Sequence, residues 1–419
     1  MSKFIIDGGK KLYGDVNIHG AKNSALPILA ATVLCQGKSV IHNCPDLSDV
    51  KVSLKILKNL GCKAKYYDSS VFVDSESISN FCIEKELMSR MRSSIIFLSV
   101  MLAKLKKANV YLPGGCELGA RPIDLHIKGL EKMGAVILKD KDCLLCSLPK
   151  GHFNGAKISL SFPSVGATEN IILAAATAKG RTVIENAARE PEICDLAAFL
   201  NKCGAKIKNA GKPIITIDGV ERLFAAEYSV IPDRIEAVSF MAFTALNQGK
   251  VTIKNINVSH LAPVIELLKE SGCRIKIYKN ILSVESNDRL KAVKEIITMP
   301  YPGFPTDAQA PVMAMLTMAK GKSKFIENIF KSRYKHIKEL EKMGAKIAVK
   351  GKTAVVDGIC KLSAANLKCT DLRGGAAVVT AALAGEGRST VSDIYHIERG
   401  YENIDLKLVS LGAKIKRID

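Results

Sequence analysis

The 419-residue chain has no tryptophan, and aromatic residues make up only 5% of it. Its core must therefore be filled by Ile, Leu, Val and Ala from an apolar fraction of 47%, and aliphatic packing of that kind suits layered α/β architecture. No apolar run approaches the roughly 20 residues that span a bilayer. The opening "MSKFIIDGGKKLYG" has no apolar core of signal-peptide length. A soluble cytoplasmic protein with no membrane contact is expected. The twelve cysteines are scattered through segments such as "TVLCQG" and "LNKCGAKI". They lack the dense framework of small secreted domains, so reduced thiols are expected.

Blocks of like charge are also missing. The formal net charge of +20 invites a polyanion, because basic surfaces release counterions from nucleic acid. Yet the lysines are spread singly over amphipathic segments ("KVSLKILKNLGCKAKYY", "KHIKELEKMGAKIAVK"). No aromatic platform accompanies them to stack bases. Small anionic substrates are the expected ligands, and nucleic acid is not. Walker phosphate loops, zinc-protease helices and serine nucleophile elbows are absent. "CLLC" at Cys143 and Cys146 has metal-like spacing but sits in an apolar strand without a second pair, so no metal is expected.

What the chain does contain is a repeat. An amphipathic helical stretch followed by Gly-Ala or Gly-Cys and a short strand recurs as "ILKNLGCKA", "LEKMGAVI", "LNKCGAKI", "LKESGCRI", "LEKMGAKI" and "LVSLGAKI". Their glycines, Gly61, Gly134, Gly204, Gly272, Gly344 and Gly412, mark six units of about seventy residues. Each glycine suits the left-handed cap that ends a helix. Upstream in each unit lies a small-residue helix, such as "NSALPILAATVL" or "TDAQAPVMAML", apolar nearly all round and so expected to be buried. Six units divide into two domains of three, 22–230 and 1–21 plus 231–419, with the boundary near "EYSVIPDRIEA". The strand-like first 21 residues would pair back with the second domain. The chain would then cross between domains twice, around a cleft able to close.

Polar residues gather at the starts of the inner helices: Lys22 and Asn23, Arg90 and Arg92, Ser164 with Gly166, Asp233 with Arg234, Asp307, and Asp371 with Arg373. Two readings stand. Ser, Asn and Asp cap helices for local reasons, whereas free N–H groups and the positive dipole end also make helix starts anion sites. Lys and Arg oppose the dipole, so capping does not explain them. Arg121, Arg373 and Arg399 offer the planar fork that grips carboxylate or phosphate. Asp307, in the proline-rich "YPGFPTDAQAP", reads either as a positioned general base or as a cap. Cys116, in "LPGGCELGARPIDLH", is either a reactive thiol on a glycine-flanked loop beside Arg121 or an incidental cysteine.

Taken in order, "GAKNSALPILAA", "MRSS", "LPGGCELGARPIDLH", "FPSVGATENI", "IENAAREPEI", "PDRIEA", "GFPTDAQAP", "DLRGGAA" and "HIERGYENI" resemble the enolpyruvyl transferase family over the whole chain. They resemble its sugar-nucleotide branch rather than the shikimate-pathway branch, which lacks the cysteine loop. The resemblance implies an α/β fold, a two-domain inside-out barrel of six repeated units, three per domain. It implies UDP-N-acetylglucosamine and phosphoenolpyruvate as substrates in a step of peptidoglycan synthesis, with UDP-N-acetylmuramate as a further occupant of the closed site. No metal or organic cofactor is implied.

Carried over by position, Lys22, Arg121 and Arg399 hold the phosphate and carboxylate of phosphoenolpyruvate, with Arg92 and Arg373 supporting that anionic pocket. Asp307 accepts the sugar's hydroxyl proton, and Cys116 is the acid at C3, able to form a phospholactoyl adduct and to react with fosfomycin. Asn23, Pro122, Ile123, Asp124, Leu125, Phe162, Ser164, Val165, Gly166, Asp307 and Ile329 match sugar-nucleotide contacts. Arg234 and Asp371 join the substrate-binding set. Phe162 replaces a lysine found in some members, Glu117 and Leu118 follow the cysteine where others differ, and Gly374 is often alanine. Two other classes remain to be discriminated. A non-catalytic nucleic-acid binder would be indifferent to loss of Cys116, and an RNA 3′-terminal phosphate cyclase would need a histidine motif that is not evident.

Overall fold

The computed structural model describes residues 2–113 and 123–419. Cys116, Glu117, Leu118, Arg121 and Pro122 therefore lie outside the described residues. The chain forms two compact units: an N-terminal unit from Gly20 to Ile231, and a C-terminal unit that joins the residues up to His19 with Pro232–Asp419. It passes from one to the other between His19 and Gly20 and again between Ile231 and Pro232.

The plan of a repeat is plainest in the third. Strand Lys157–Ser159 leads into the inner helix Val165–Ala175, which returns the chain to strand Arg181–Glu185 running parallel to the first. A crossover of this kind is what a parallel pair requires. The outer helix Pro191–Lys202 follows, and the hairpin Lys206–Lys208 and Ile214–Asp218 completes a four-stranded sheet by antiparallel pairing. Among the described residues there are six such sheets, three in each unit.

The other inner helices are Lys22–Ala31, Phe97–Leu105 (entered through the 3-10 turn Arg92–Ile96), Arg234–Leu246, Thr306–Leu316 and Leu372–Ala384. They are buried along nearly their whole length. In the C-terminal unit the three inner helices pack on one another, as their Ala, Gly and Ser content permits. Helices inside and sheets outside give each unit the inside-out α/β arrangement. The outer helices are one-sided instead. Ser48–Asn59 buries Val50, Val52, Ile56 and Leu57 and exposes Lys51, Lys55 and Lys58. The six repeat glycines all sit at positive φ, between 93° and 103°, where a side chain would be strained.

One regularity is broken. The edge strand of the first sheet is Glu227–Ser229, paired parallel with Lys38–His42, although in the chain it precedes the fourth inner helix. Conversely, Tyr13–Asn17 precedes the first inner helix but pairs parallel with Lys250–Lys254 in the fourth sheet. Each strand thus stays in a sheet of its own unit, although the inner helix that follows it in the chain lies in the other. Strand Lys3–Asp7 fits between Arg388–Ser392 and Lys414–Ile418 and completes the sixth sheet. Cys143 and Cys146 lie three apart on strand Cys143–Ser147, so they face opposite sides of the sheet and do not form a shared metal pair.

Candidate functional site

In the C-terminal unit the three inner-helix starts carry one connected set of charges. Asp233 caps the fourth inner helix, its Oδ1 accepting the N–H groups of Ile235 and Glu236 at 2.8 and 3.0 Å. Asp371 caps the sixth, accepting from Arg373 N and Gly374 N, both at 3.0 Å. For these two acids the capping reading holds. Asp307 differs. It lies in the first turn of the fifth inner helix, whose cap position is Pro305 with no side-chain cap bond, and its carboxylate turns to arginines instead. Oδ1 accepts from Arg333 Nη2 at 2.7 Å and Oδ2 from Arg373 Nη2 at 3.1 Å.

Both guanidinium groups are almost inaccessible, 2% and 3% exposed, while the Asp307 side chain keeps 27%. Arg333 also donates to Thr306 O from Nε and Nη2, at 3.2 and 2.9 Å. Arg373 donates to Tyr401 OH at 3.2 Å, and that hydroxyl lies 2.7 Å from Ser239 Oγ on the fourth inner helix. Burial works against the charge on Arg373, but Asp307, Tyr401 and Asp233 outweigh it and hold its pKa above the ordinary value. The result is a carboxylate held by two buried cations yet still reachable from solvent.

Nearby segments are fixed to the same turn. Glu327 accepts from Thr306 Oγ1 at 3.1 Å and from the N–H groups of Ile329 and Phe330 at 2.9 and 3.0 Å, which ties the Ile329 loop to the start of the Asp307 helix. Arg399 is half-buried in the turn after Ile394–His396, two residues before Tyr401. Arg234 stands over the ring of Tyr301, 5.7 Å from its centroid. It borders a shallow recess whose walls include Val238, Leu261 and Pro263.

The N-terminal unit is organised differently. Lys22 opens the first inner helix and reaches Asp49 Oδ2 at 3.4 Å, both side chains being largely buried. Asn23 follows it in the same turn. This helix and the Asp307 helix each contain a proline, Pro27 and Pro311. Proline has no N–H to give to the carbonyl four residues before it, which belongs to Asn23 in one helix and to Asp307 in the other. Arg92 begins the turn into the second inner helix. Ser164 caps the third, accepting Ala167 N at 3.4 Å, with Val165 and Gly166 in the first turn and Phe162 exposed just before it. Ile123, Asp124 and Leu125 form the start of the outer helix Asp124–Lys132.

His126, next along that outer helix, joins these pieces. Its Nδ1 accepts from Asn170 Nδ2 at 2.8 Å, and Asn170 Oδ1 accepts the Ser99 hydroxyl. The imidazole is thereby used as a neutral acceptor. Burial pushes its pKa down to about 4, with Arg92 adding to the effect and Asp124 opposing it. Gly166 is required beside it, since a Cβ there would stand 2.9 Å from His126 Cε1.

The structure thus brings Asp307 and Arg373 into contact and gathers Arg92, Asp124 and Gly166 around His126. Lys22 is paired with Asp49, which the sequence reading did not name. That reading also missed Arg333, Tyr401, His126 and Glu327. The one available signal for Arg333 is that it is the sole arginine in the lysine-rich stretch "FKSRYKHIKELEK".

Comparison with known proteins agrees over the full length. The family model described as EPSP synthase (3-phosphoshikimate 1-carboxyvinyltransferase) matches residues 6–408. A protein of Caldanaerobacter subterraneus subsp. tengcongensis named UDP-N-acetylglucosamine 1-carboxyvinyltransferase 2 is 48% identical over 419 residues, covering 100% of both chains. The Psychrobacter arcticus UDP-N-acetylglucosamine 1-carboxyvinyltransferase is 45% identical over 420 residues, covering 100% of this chain and 99% of the relative. Among solved structures, the enolpyruvyl transferase NikO from Streptomyces tendae superposes with a TM-score of 0.90 at 25% identity, over 99% of this chain and 98% of that one. EPSP synthase from Acinetobacter baumannii has a TM-score of 0.77 at 18% identity over 100% of both chains and shares the fold.

Proposed function

Since the chain belongs to the EPSP synthase family of enolpyruvyl transferases, we propose that it transfers the enolpyruvyl group of phosphoenolpyruvate to the 3-hydroxyl of UDP-N-acetylglucosamine and releases phosphate. This is a cytoplasmic reaction and the first committed step of peptidoglycan synthesis. The sugar oxygen bonds to C2 of phosphoenolpyruvate as its proton leaves to a base and a proton is added at C3. The tetrahedral intermediate then loses phosphate and a C3 proton, which restores the double bond as an enol ether.

The observation that carries the geometric side of this reading is Asp307, in the first turn of its helix, uncapping and held by two buried arginines. A carboxylate fixed in that way and partly open to solvent suits the acceptor of the hydroxyl proton. Arg373 and Arg399, together with Lys22, Arg92 and Arg121, serve the anionic substrate. Lys22 and Arg92 oppose the dipole of the helical turns they open, a placement that capping does not explain. Cys116 supplies the proton at C3 in this reading. Asn23, Pro122, Ile123, Asp124, Leu125, Phe162, Ser164, Val165, Gly166, Arg234, Ile329 and Asp371 contact the sugar nucleotide or its surroundings.

Phosphate release is the test. It is expected only when both substrates are present, with a product heavier than UDP-N-acetylglucosamine by the enolpyruvyl group. Fosfomycin is expected to stop it and to add its mass to a peptide containing Cys116. No phosphate and no adduct would refute the proposal.

A further inference from the structure

Each unit fastens its departing strand to a buried carboxylate. Ile231, the last residue of the N-terminal unit, donates its N–H to Asp195 Oδ2 at 3.2 Å. His19, after which the chain leaves the C-terminal unit, donates its N–H to Glu236 Oε2 at 3.0 Å. Glu236 has a cation to balance it, Lys407 Nζ at 2.5 Å. Asp195 is held among the described residues by neutral donors: Ile231 N–H, Tyr228 OH at 2.6 Å on Oδ1, and the Ser24 hydroxyl on Oδ2. A carboxylate without a cation is costly to bury, and burial pushes its pKa up against the pull of those donors. It is a poor choice for stability alone, and a good one where several segments must be fixed to a single point.

The segments it joins are specific. Asp195 belongs to the outer helix Pro191–Lys202, Tyr228 to the edge strand Glu227–Ser229, and Ser24 to the first turn of the helix that begins with Lys22 and Asn23. That helix has no side-chain cap at Ala21, and it opens with a cation against its own dipole. Its start is held from outside instead: Ala21 N–H donates to Ile231 O at 2.7 Å, and Ser24 is bound to Asp195. We infer that Asp195 is a positioning residue, which fixes the first turn of this helix and so aims Lys22 at phosphoenolpyruvate. The inference rests on the reading of Lys22 as a phosphoenolpyruvate contact.

The experiment is steady-state kinetics on the full chain with Asp195→Asn, Ser24→Ala and Tyr228→Phe, together with amide hydrogen exchange. Asp195→Asn is expected to raise KM for phosphoenolpyruvate about tenfold and KM for UDP-N-acetylglucosamine, which Asn23 of the same turn contacts, no more than about threefold. Exchange at Ile231 and at residues 24–26 is expected to speed up about tenfold. Ser24→Ala and Tyr228→Phe each remove one donor and are expected to raise the same KM about threefold. Partial unfolding alone would lower kcat and leave both KM values where they were. An unchanged KM for phosphoenolpyruvate in folded Asp195→Asn, or an equal rise in both KM values, overturns the inference. If Asp195→Asn does not fold, the two milder variants decide by the same criteria. If the wild-type chain releases no phosphate, the functional reading fails on its own, and unchanged exchange in the variants would then overturn the anchoring role separately.

Discussion

The two units share one repeat plan but differ at their inner-helix starts, where acids stand in one unit alone and Arg234 and Arg373 accompany two of them. In the C-terminal unit each start carries an acid, Asp233, Asp307 and Asp371, in agreement with the helix dipole, and two of the three are caps. In the N-terminal unit two starts carry the cations Lys22 and Arg92, and only Ser164 caps. The C-terminal starts thus divide their acids between capping, at Asp233 and Asp371, and pairing with buried arginines, at Asp307. The N-terminal starts have given up local stability for positive charge, and they depend on Asp49, His126 and Asp195 from outer elements to hold their shape.

The largest expected departure between the units comes from Asp307→Asn. This near-isosteric change is expected to keep the fold but cut phosphate release by about 10³-fold, since a general base contributes on that order; the coupled assay of phosphate release measures it. Next is Arg333→Met, which leaves Asp307 with one buried partner. Breaking a buried pair costs about 3 kcal/mol or more, to be read from urea unfolding with the wild-type m-value. Activity retained at the wild-type level in either variant would separate the cluster from the chemistry.

Caps set the next rank. Asp371→Ala loses an acceptor for two N–H groups and is expected to cost about 1–2 kcal/mol. Ser164→Ala loses one longer bond, 3.4 Å, and should cost less, at the lower end of about 0.5–2 kcal/mol. Equal losses in thermal unfolding would erase the contrast between the two sets of helix starts.

The acid limb follows from His126. Its folded-state pKa of about 4 lies below the ordinary histidine value of 6.5, so between those values the unfolded chain binds a proton that the folded chain refuses. The stability it contributes is complete above pH 6.5 and is lost as pH falls through about 4. His336, fully buried beside Asp371 and Arg333 in the C-terminal unit, is shifted in the same direction by burial. A variant with both histidines replaced by asparagine and phenylalanine respectively is expected to lose less stability from pH 6.5 to 4.5 than the wild type, in urea midpoints taken across that range. The smallest effect is expected at equivalent surface pairs, Arg181 with Asp218 in one unit and Arg388 with Asp7 in the other. Both are solvent-screened, so Arg→Gln at either position should leave the melting temperature unchanged.

Much of this was legible in the chain. The repeat could be read because a helix that must stop and turn into a strand needs a left-handed residue, and Gly61, Gly134, Gly204, Gly272, Gly344 and Gly412 all take that conformation. The inner helices could be read from their lack of a polar face, and Asp233, Asp371 and Ser164 from cap chemistry that is local in sequence. Arg333 was not legible, because what sets it apart from the neighbouring lysines is a partner 26 residues away. That Tyr13–Asn17 pairs within the C-terminal unit was legible, because the strand-like first 21 residues complete its third repeat. That Glu227–Ser229 joins the first sheet was not, because nothing local tells which sheet a strand before an inner helix enters. Asp195 is a long-range acceptor of the same kind, joining residues 24, 195, 228 and 231.

That strand order bears on how the chain is made. Strands Lys3–Asp7 and Tyr13–Asn17 leave the ribosome long before their partners, Lys250–Lys254, Arg388–Ser392 and Lys414–Ile418. Through most of synthesis they wait as unpaired edges, the condition that invites association with other chains. The N-terminal unit, by contrast, obtains its last strand at Glu227–Ser229 and can close while the rest is still being translated. The waiting segment is short, carries Asp7, Lys10, Lys11 and Asp15, and is interrupted by Gly8, Gly9 and Gly14, a composition that resists premature sheet growth until the final residues arrive.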